Sequence, residues 1–135
     1  MIDAVEKGPV ISIVDDDASI RAAMVDLVMS HGFEVHEFDS AEQFLTSTER
    51  HATSCIVSDV QMPGTSGIEL KHHLTAENDH TPVIFVTAFP QPAIRKQALD
   101  AGAICFLSKP FDGATLMGCI SEALSGGPGG HDHAQ

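Results

Sequence analysis

The strongest constraint on the fold is a strict alternation of short apolar runs with longer amphipathic stretches. The runs are rich in β-branched residues, as strands are. They are VISIV (Val10–Val14), FEVHEF (33–38), CIVSD (Cys55–Asp59), PVIFVT (82–87) and AICFL (103–107). Four of them are apolar nearly throughout, which is typical of strands buried on both faces, whereas FEVHEF alternates at first and suits an edge. The pattern predicts five strands.

The stretches between the runs carry the signals of helices. Ile20, Met24, Leu27 and Val28 form one apolar helix face, and Gly32 is placed to end that helix. Helix starts are indicated by Asp17 or Ser19, Ser40 with Gln43, Ser66 with Glu69, Pro92, and Asp112. Gly102 indicates the end of the fourth helix. Strand and helix therefore alternate five times. Crossovers of about 10 to 15 residues join parallel strands and place helices on both faces of the sheet. We expect a doubly wound α/β fold with a five-stranded parallel sheet and five helices.

The length and composition indicate one globular unit with polar ends. A chain of 135 residues with 43% hydrophobic residues can bury a core without metals or cross-links. We predict a domain over residues 9–125, with an N-terminal extension at 1–8 and a flexible Gly-rich tail, GGPGGHDHAQ, at 126–135. His131 and His133 have H-x-H spacing, but a solvated tail is the favoured interpretation because two imidazoles on a flexible segment bind metal weakly.

The charge disfavours two classes of partner. With 19 acidic and 7 basic residues the formal net charge is -12, which disfavours direct binding to nucleic acid or to an anionic membrane. No signal peptide or membrane span is recognisable, so we expect a cytoplasmic protein. Cys55, Cys105 and Cys119 lie in apolar segments without metal-ligand spacing, and we predict buried thiols in a reducing compartment.

Chemically active side chains recur where the predicted strands end. The first strand ends in Asp15 and Asp16, the third in Asp59 and the fourth in Thr87, and Lys109 follows the fifth by two residues. Because parallel strands end at the same edge of a sheet, we expect these side chains to meet although they are distant in sequence.

Three neighbouring carboxylates require positive charge. Like charges about 4 Å apart repel by roughly 4 kcal/mol at an effective dielectric near 20. Lys109 supplies one positive charge, and hard carboxylate oxygens favour Mg²⁺ as the second. The predicted metal ligands are Asp16, Asp59 and the backbone carbonyl of Gln61, with Asp15 beside the ion or linked to it through water.

The same set of groups describes a phosphoryl-transfer site. Asp59, from a central strand, is the predicted nucleophile that forms an acyl phosphate, and Thr87 and Lys109 could each hold one phosphoryl oxygen. Each residue alone has a commoner explanation. An aspartate at a strand end is often a helix cap, Thr87 could be an ordinary strand residue, and Lys109 a solvated cation. The complete set favours the site.

Four motifs resemble the receiver domain of bacterial two-component response regulators. They are VDDD, SDVQMPGTSG, VTAF and FLSKPF, and the resemblance extends over roughly residues 10–124. It implies the strand order 2-1-3-4-5, Asp59 as phosphoacceptor, an acid pocket of Asp15 and Asp16, and a cis peptide bond before Pro110. It also implies that Thr87 is the switch hydroxyl and that Lys109 contacts the phosphoryl group.

The resemblance also implies partners and a signalling mechanism. A sensor histidine kinase or a histidine phosphotransfer protein would donate the phosphoryl group, and Thr87 with Phe106 would then remodel the face of the fourth helix, fifth strand and fifth helix. That face would signal to a downstream protein or to a fused output domain, and phosphorylation-dependent dimerisation is left open. Such a domain is no enzyme beyond its own phosphorylation and dephosphorylation. We further expect Gln61 and Phe89 to overhang the acyl phosphate and to tune its hydrolysis.

Two alternative functions remain at this point. An aspartate-nucleophile phosphatase usually has a second acid two residues after the nucleophile, where this chain has Gln61. A phosphorylation-independent interaction module would have a decayed site, whereas every expected site residue is present. A free-standing receiver and a fragment of a larger transcription factor are equally compatible with the sequence.

Overall fold

The computed structural model describes residues 8–125, which form a doubly wound α/β fold. Over these residues the strands are β1 (Val10–Val14), β2 (Glu34–Phe38), β3 (Cys55–Asp59), β4 (Val83–Thr87) and β5 (Cys105–Ser108). All neighbours are parallel and the order is β2-β1-β3-β4-β5, which confirms the expected topology with β2 at an edge. The tail at 126–135, with His131 and His133, and residues 1–7 of the N-terminal extension lie outside the described residues.

Five α-helices connect and follow these strands within residues 8–125. They are α1 (Ala18–Ser30), α2 (Ala41–Thr46), α3 (Gly67–Ala76), α4 (Pro92–Asp100) and α5 (Gly113–Leu124). A short 3₁₀ helix at Thr48–Ala52, which the sequence analysis did not predict, joins α2 to β3. In this part of the chain no helix has the length and apolar character needed to cross a membrane.

Most of the predicted helix boundaries are confirmed by their hydrogen bonds. The Asp17 side chain accepts from two backbone N–H groups at the start of α1. Ser66 and Glu69 form a complete capping box at α3, and Pro92 occupies the first turn of α4. Gly32 follows α1 with a positive φ of 91°, a conformation that favours glycine. Local sequence signals therefore determine these boundaries.

Two capping predictions are wrong in detail. Ser40 caps α2, but the Gln43 side chain bonds the backbone N–H of Asp39 and leaves the capping box incomplete. Asp112 precedes α5 as predicted, yet its side chain makes no capping hydrogen bond. Some strand bounds also differ from the prediction. β2, β4 and β5 begin one or two residues later than predicted, and β5 ends at Ser108, one residue after the predicted end.

Two apolar layers cover the two faces of the sheet. Helices α1 and α5 pack on one face, where Met24, Val28, Leu116 and Ile120 meet strand residues such as Ile13. On the other face the packing of α2, α3 and α4 includes Phe44, Leu70, Leu74, Ala98 and Phe85. Cys55, Cys105 and Cys119 are buried in the first layer, as predicted.

The parallel register brings the carboxyl ends of the strands to one edge. Asp59 at the end of β3 is level with Val86 of β4, and Thr87 is level with Ser108 of β5. The backbone of Asp15 extends the edge beyond β1, since its N–H donates to the Phe38 carbonyl at 3.1 Å. This edge carries the polar side chains that the sequence analysis singled out.

Gly67 allows α3 to begin directly against the end of β3. Its N–H donates to the Val60 carbonyl at 2.9 Å. A Cβ atom at this position would lie 2.2 Å from the Asp59 carbonyl oxygen and 3.0 Å from the Ser58 hydroxyl oxygen. Backbone cannot yield as a flexible side chain can, so only glycine fits without moving the segment that carries Asp59.

We expect Gly67→Ala to lower the free energy of unfolding by about 1 to 3 kcal/mol, because the added methyl group must displace backbone. Gly118→Ala is the matched control, since Gly118 lies within α5 with nothing within 4 Å of the added Cβ. It should raise that free energy by roughly 0.5 to 1 kcal/mol through helix propensity. Urea denaturation measures both variants, and equal stability of the two would contradict the close approach.

Candidate functional site

Three carboxylates gather at the carboxyl edge of the sheet. Asp15, Asp16 and Asp59 each offer an oxygen, and these oxygens all lie within 4.8 Å of one another. Asp15 is fully buried and Asp59 is 7% exposed, whereas Asp16 is exposed. Among the described residues they form the one cluster of potential metal ligands. The structure thus brings together the three acids that the sequence analysis placed at strand ends.

Asp15 is held in place by backbone and side-chain contacts. Its carboxylate accepts the backbone N–H of Asp17 at 2.9 Å. Its carbonyl accepts from the Arg21 guanidinium at 2.6 Å, and the same guanidinium bonds Glu37 of β2 at 3.1 Å. The role of Arg21 was not predicted from the sequence, because a basic residue in the first turns of a helix has no distinctive pattern. Arg21 thus braces the loop that carries the acid pair.

Lys109 places its ammonium group among the carboxylates. Its Nζ lies 3.0 Å from Asp15 Oδ2 and 3.6 Å from Asp59 Oδ1, and its side chain is 10% exposed. The backbone N–H of Lys109 donates to the Thr87 carbonyl at 2.7 Å, and the peptide bond to Pro110 is cis, as the resemblance implied. Lys109 is therefore a buried partner of the acids and not a solvated surface cation.

The charge balance of the pocket perturbs Asp59. Burial raises the pKa of the Asp59 carboxyl from 3.8 to about 6; the charges of Asp15 and Asp16 act in the same direction, and Lys109 opposes them. One ammonium cannot neutralise three carboxylates. The pocket therefore favours either a proton on Asp59 or a further cation.

The Thr87 hydroxyl forms a hydrogen bond with the Gln61 side chain that was not predicted from the sequence. Thr87 is fully buried at the end of β4, and its Oγ1 donates to Gln61 Oε1 at 2.9 Å. The same oxygen accepts the backbone N–H of Phe89 at 3.0 Å. Glutamine two residues after a strand is common in loops, so no local signal could have identified this contact.

An open cleft of about 210 Å³ lies beside Asp16 and Asp59. Its lining includes Asp16, Asp59, Gln61, Phe89 and Lys109. Phe89 lines this cleft and is 63% exposed. Gln61 and Phe89 both line the cleft, and their overhang of an acyl phosphate stays a prediction.

Phe106 lies in β5, level with Phe85 of β4, and is only 4% exposed. Its ring belongs to the apolar layer on the face of α2, α3 and α4. His72 and His73, in contrast, are exposed on α3, as predicted. Phe106 is therefore buried in this apolar layer and is not among the residues that line the cleft beside Asp59.

Comparison with known proteins identifies the family to which the chain belongs. The family model described as the response regulator receiver domain matches residues 11–121. The chain therefore belongs to the receiver domain family of response regulators. The motifs that carried the resemblance all lie within the matched residues.

Particular relatives agree with this assignment. The chain is 39% identical over 114 residues to nodulation protein W of Bradyrhizobium diazoefficiens, covering 84% of this chain and 50% of that protein. It is 36% identical over 123 residues to response regulator protein TodT of Pseudomonas putida, covering 91% and 54%. The chain thus spans about half the length of these curated relatives.

Solved structures share the fold. The crystal structure of FixJ-N matches with a TM-score of 0.81 and 30% identity, covering 87% of this chain and 94% of that one. The response regulator StyR matches with a TM-score of 0.77 and 42% identity, covering 87% and 59%. The fold expected from the sequence is confirmed.

The raised pKa of Asp59 predicts a pH-dependent stability. Between its ordinary value of 3.8 and about 6 the folded protein binds more protons than the unfolded chain, so the free energy of unfolding falls as pH rises through this interval. Asp59→Asn is neutral throughout and removes the decline. Relative to this variant we expect the wild type to lose on the order of 1 kcal/mol, after allowance for partial solvent screening.

Urea denaturation of both proteins between pH 4 and pH 6.5, in buffer containing EDTA, measures the difference directly. Titrating groups remote from Asp59 are common to the two proteins and cancel in the comparison, whereas the neighbours Asp15, Asp16 and Lys109 interact with Asp59 and contribute to the measured difference. Parallel stability profiles would show that Asp59 titrates normally and would contradict the charge balance described above.

Proposed function

We propose that Asp59 accepts a phosphoryl group from a phosphohistidine donor and that the chain relays this event to a protein partner. The observation that carries the proposal is the position of the Asp59 carboxylate. It lies within 3.6 Å of the Lys109 ammonium, belongs to the acid cluster, and lines an open cleft. A nucleophile needs both an approach path and a group that neutralises the incoming anion, and Asp59 has both.

The surrounding residues have distinct roles in this proposal. A carboxylate oxygen of Asp59 attacks phosphorus while the bond from phosphorus to the donor imidazole breaks. Lys109 then binds one phosphoryl oxygen, and the Thr87 hydroxyl turns to bind another. Phe89 and Gln61 at the cleft limit the access of water to the acyl phosphate. The 9–125 segment is the unit that carries out these steps, and its own phosphorylation and dephosphorylation are the reactions it catalyses.

The acid cluster fits a magnesium ion. All three side chains offer hard oxygen ligands close together, which is the donor set that Mg²⁺ prefers. Asp16, Asp59 and the Gln61 carbonyl would hold the ion, with Asp15 beside it or linked through water. When bound, the ion offsets the negative charge of the phosphoryl group as it approaches the carboxylates.

An apolar groove beside the site suits the protein that presents the phosphohistidine. The groove has a volume of about 540 Å³ and extends from Lys109 along α1. Its apolar lining includes Ile20, Ala23, Leu27, Pro110 and Phe111. Burial of these apolar side chains against a partner next to the acceptor would anchor a kinase or phosphotransfer protein. We place this encounter in the cytoplasm.

The signal leaves through the surface formed by α4, β5 and α5. A second cavity, of about 440 Å³, lies at this surface and is lined by Phe106, Arg95 and Thr115 among others. Movement of Thr87 would free space next to β5, and Phe106 would follow it and reshape the surface. The receiving partner is a downstream protein or an output domain fused to the receiver. Phosphorylation-dependent pairing of two copies would use the same surface.

Acetyl phosphate tests the acceptor. Incubation with Mg²⁺ should add the mass of one phosphoryl group to the wild type and none to Asp59→Asn, because the amide is not a nucleophile. Intact-protein mass spectrometry measures the product. Asp16→Asn should slow the reaction about 10-fold or more at limiting Mg²⁺, since it removes one proposed ligand. An unmodified wild type, or a phosphorylated Asp59→Asn, would refute the assignment.

A pair of adjacent alanines tests the docking groove. Ala22 and Ala23 are both exposed on α1, but only Ala23 lines the groove. Ala23→Arg should slow phosphotransfer from a phosphorylated sensor kinase of the same organism about 10-fold or more by blocking contact, whereas Ala22→Arg should not. Both variants should react normally with acetyl phosphate, because the small donor needs no groove. Equal effects of the two substitutions on kinase transfer would place the docking surface elsewhere.

A further inference from the structure

The hydroxyl group of Thr87 has its hydrogen-bonding capacity largely committed in this structure. A threonine hydroxyl has one proton to donate and two lone pairs that accept. The proton goes to Gln61 Oε1 at 2.9 Å, and one lone pair receives the Phe89 N–H at 3.0 Å. The hydroxyl can therefore donate to a phosphoryl oxygen on Asp59 only if it gives up Gln61.

We propose that the Gln61 side chain is a positioning residue that binds the hydroxyl proton of Thr87 and so sets the affinity of Asp59 for a phosphoryl group. The inference rests on the proposed function and extends it, because it assigns the amide of Gln61 to the switch itself. Gln61 follows β3, and Thr87, 26 positions further along the chain, is the last residue of the neighbouring β4, so the bond connects the loop after Asp59 to the end of β4.

The two ends of this hydrogen bond differ in their surroundings. Thr87 is fully buried, whereas Gln61 is exposed at the cleft. When the bond breaks, the amide of Gln61 can turn to water, and the hydroxyl needs a new acceptor, which a phosphoryl oxygen supplies. The exchange therefore removes one neutral hydrogen bond without leaving a buried group unpaired. Such an exchange changes an equilibrium constant by roughly two- to tenfold.

A second role for Gln61 must be separated from this one. Gln61 and Phe89 both line the cleft, so either could act by blocking the path to Asp59 without involving Thr87. A steric role would not depend on the Thr87 hydroxyl. A positioning role disappears when that hydroxyl is removed, and a double-mutant cycle measures the difference.

The test uses beryllofluoride, which occupies the phosphoryl position on a carboxylate, as the probe at fixed Mg²⁺ concentration. Gln61→Met retains the length of the side chain and loses the amide oxygen, so it should tighten beryllofluoride binding roughly two- to tenfold. The same substitution in Thr87→Val should change the affinity less than about twofold, since no hydroxyl remains to be released. Mg²⁺ affinity is measured separately for each protein, so that an effect on the metal is not attributed to Thr87.

Phe89→Ala is the steric control, because it opens the cleft and retains the backbone N–H that bonds Thr87. Its effect on affinity, whatever its size, should be equal with and without the Thr87 hydroxyl. A spectroscopic readout completes the test: the Thr87 methyl resonance of unliganded Gln61→Met should shift from its wild-type position toward that of the beryllofluoride complex. A merely structural role of Gln61 would not move the resonance along that line.

The outcomes are distinguishable. If Gln61→Met leaves beryllofluoride affinity unchanged, or alters it equally in the presence and absence of the Thr87 hydroxyl, the positioning role is wrong and the acceptor assignment stands. If the wild type binds no beryllofluoride, the proposed function fails and this inference fails with it.

Discussion

The crowding of three carboxylates around one ammonium is the constraint on which the site depends. Lys109 contacts Asp15 at 3.0 Å and Asp59 at 3.6 Å, and Asp16 completes the cluster. Two like unit charges about 4 Å apart repel by roughly 4 kcal/mol at an effective dielectric near 20. The negative charge that Lys109 does not neutralise therefore costs a substantial free energy. The folded protein retains it because the rest of the domain is stable enough to hold these groups together. A proton, a divalent cation or both can relieve it, which makes the pocket responsive to its ligands.

The parallel sheet is what makes this concentration of charge achievable. Strands that run in the same direction end at the same edge, and helices on both faces bury each strand, so that polar groups are displaced to the ends. Two contacts then restrict the backbone positions of the acids. Gly67 packs closely against the Asp59 backbone, and Arg21 binds the Asp15 carbonyl. In a flexible loop these acidic side chains would repel one another and separate. Here the packed strands that carry them hold the side chains close together.

Prediction from the sequence succeeded where the signal was local or followed from strand direction. The capping residues Asp17, Ser66 and Glu69 bond their own helix starts, so their roles could be recognised from spacing alone. It was wrong where a polar side chain had a choice of partners: Gln43 bonds Asp39, and Asp112 makes no capping bond. Propensity indicates which residues can cap a helix, but the loop conformation decides which donor is in reach.

By itself the sequence determined the fold class, the order of elements and the gathering of Asp59 and Lys109 at one edge, because periodicity and strand direction leave few alternatives. Only the tertiary structure decided where the Thr87 hydroxyl points. Its partner, Gln61, lies 26 positions away in the chain, and a threonine and a glutamine at these positions do not by themselves predict a hydrogen bond. A hydrogen bond between a loop and the end of the neighbouring strand depends on how the two strands align and how the loop folds. Both are set by the packing of the whole domain and not by a local run of residues.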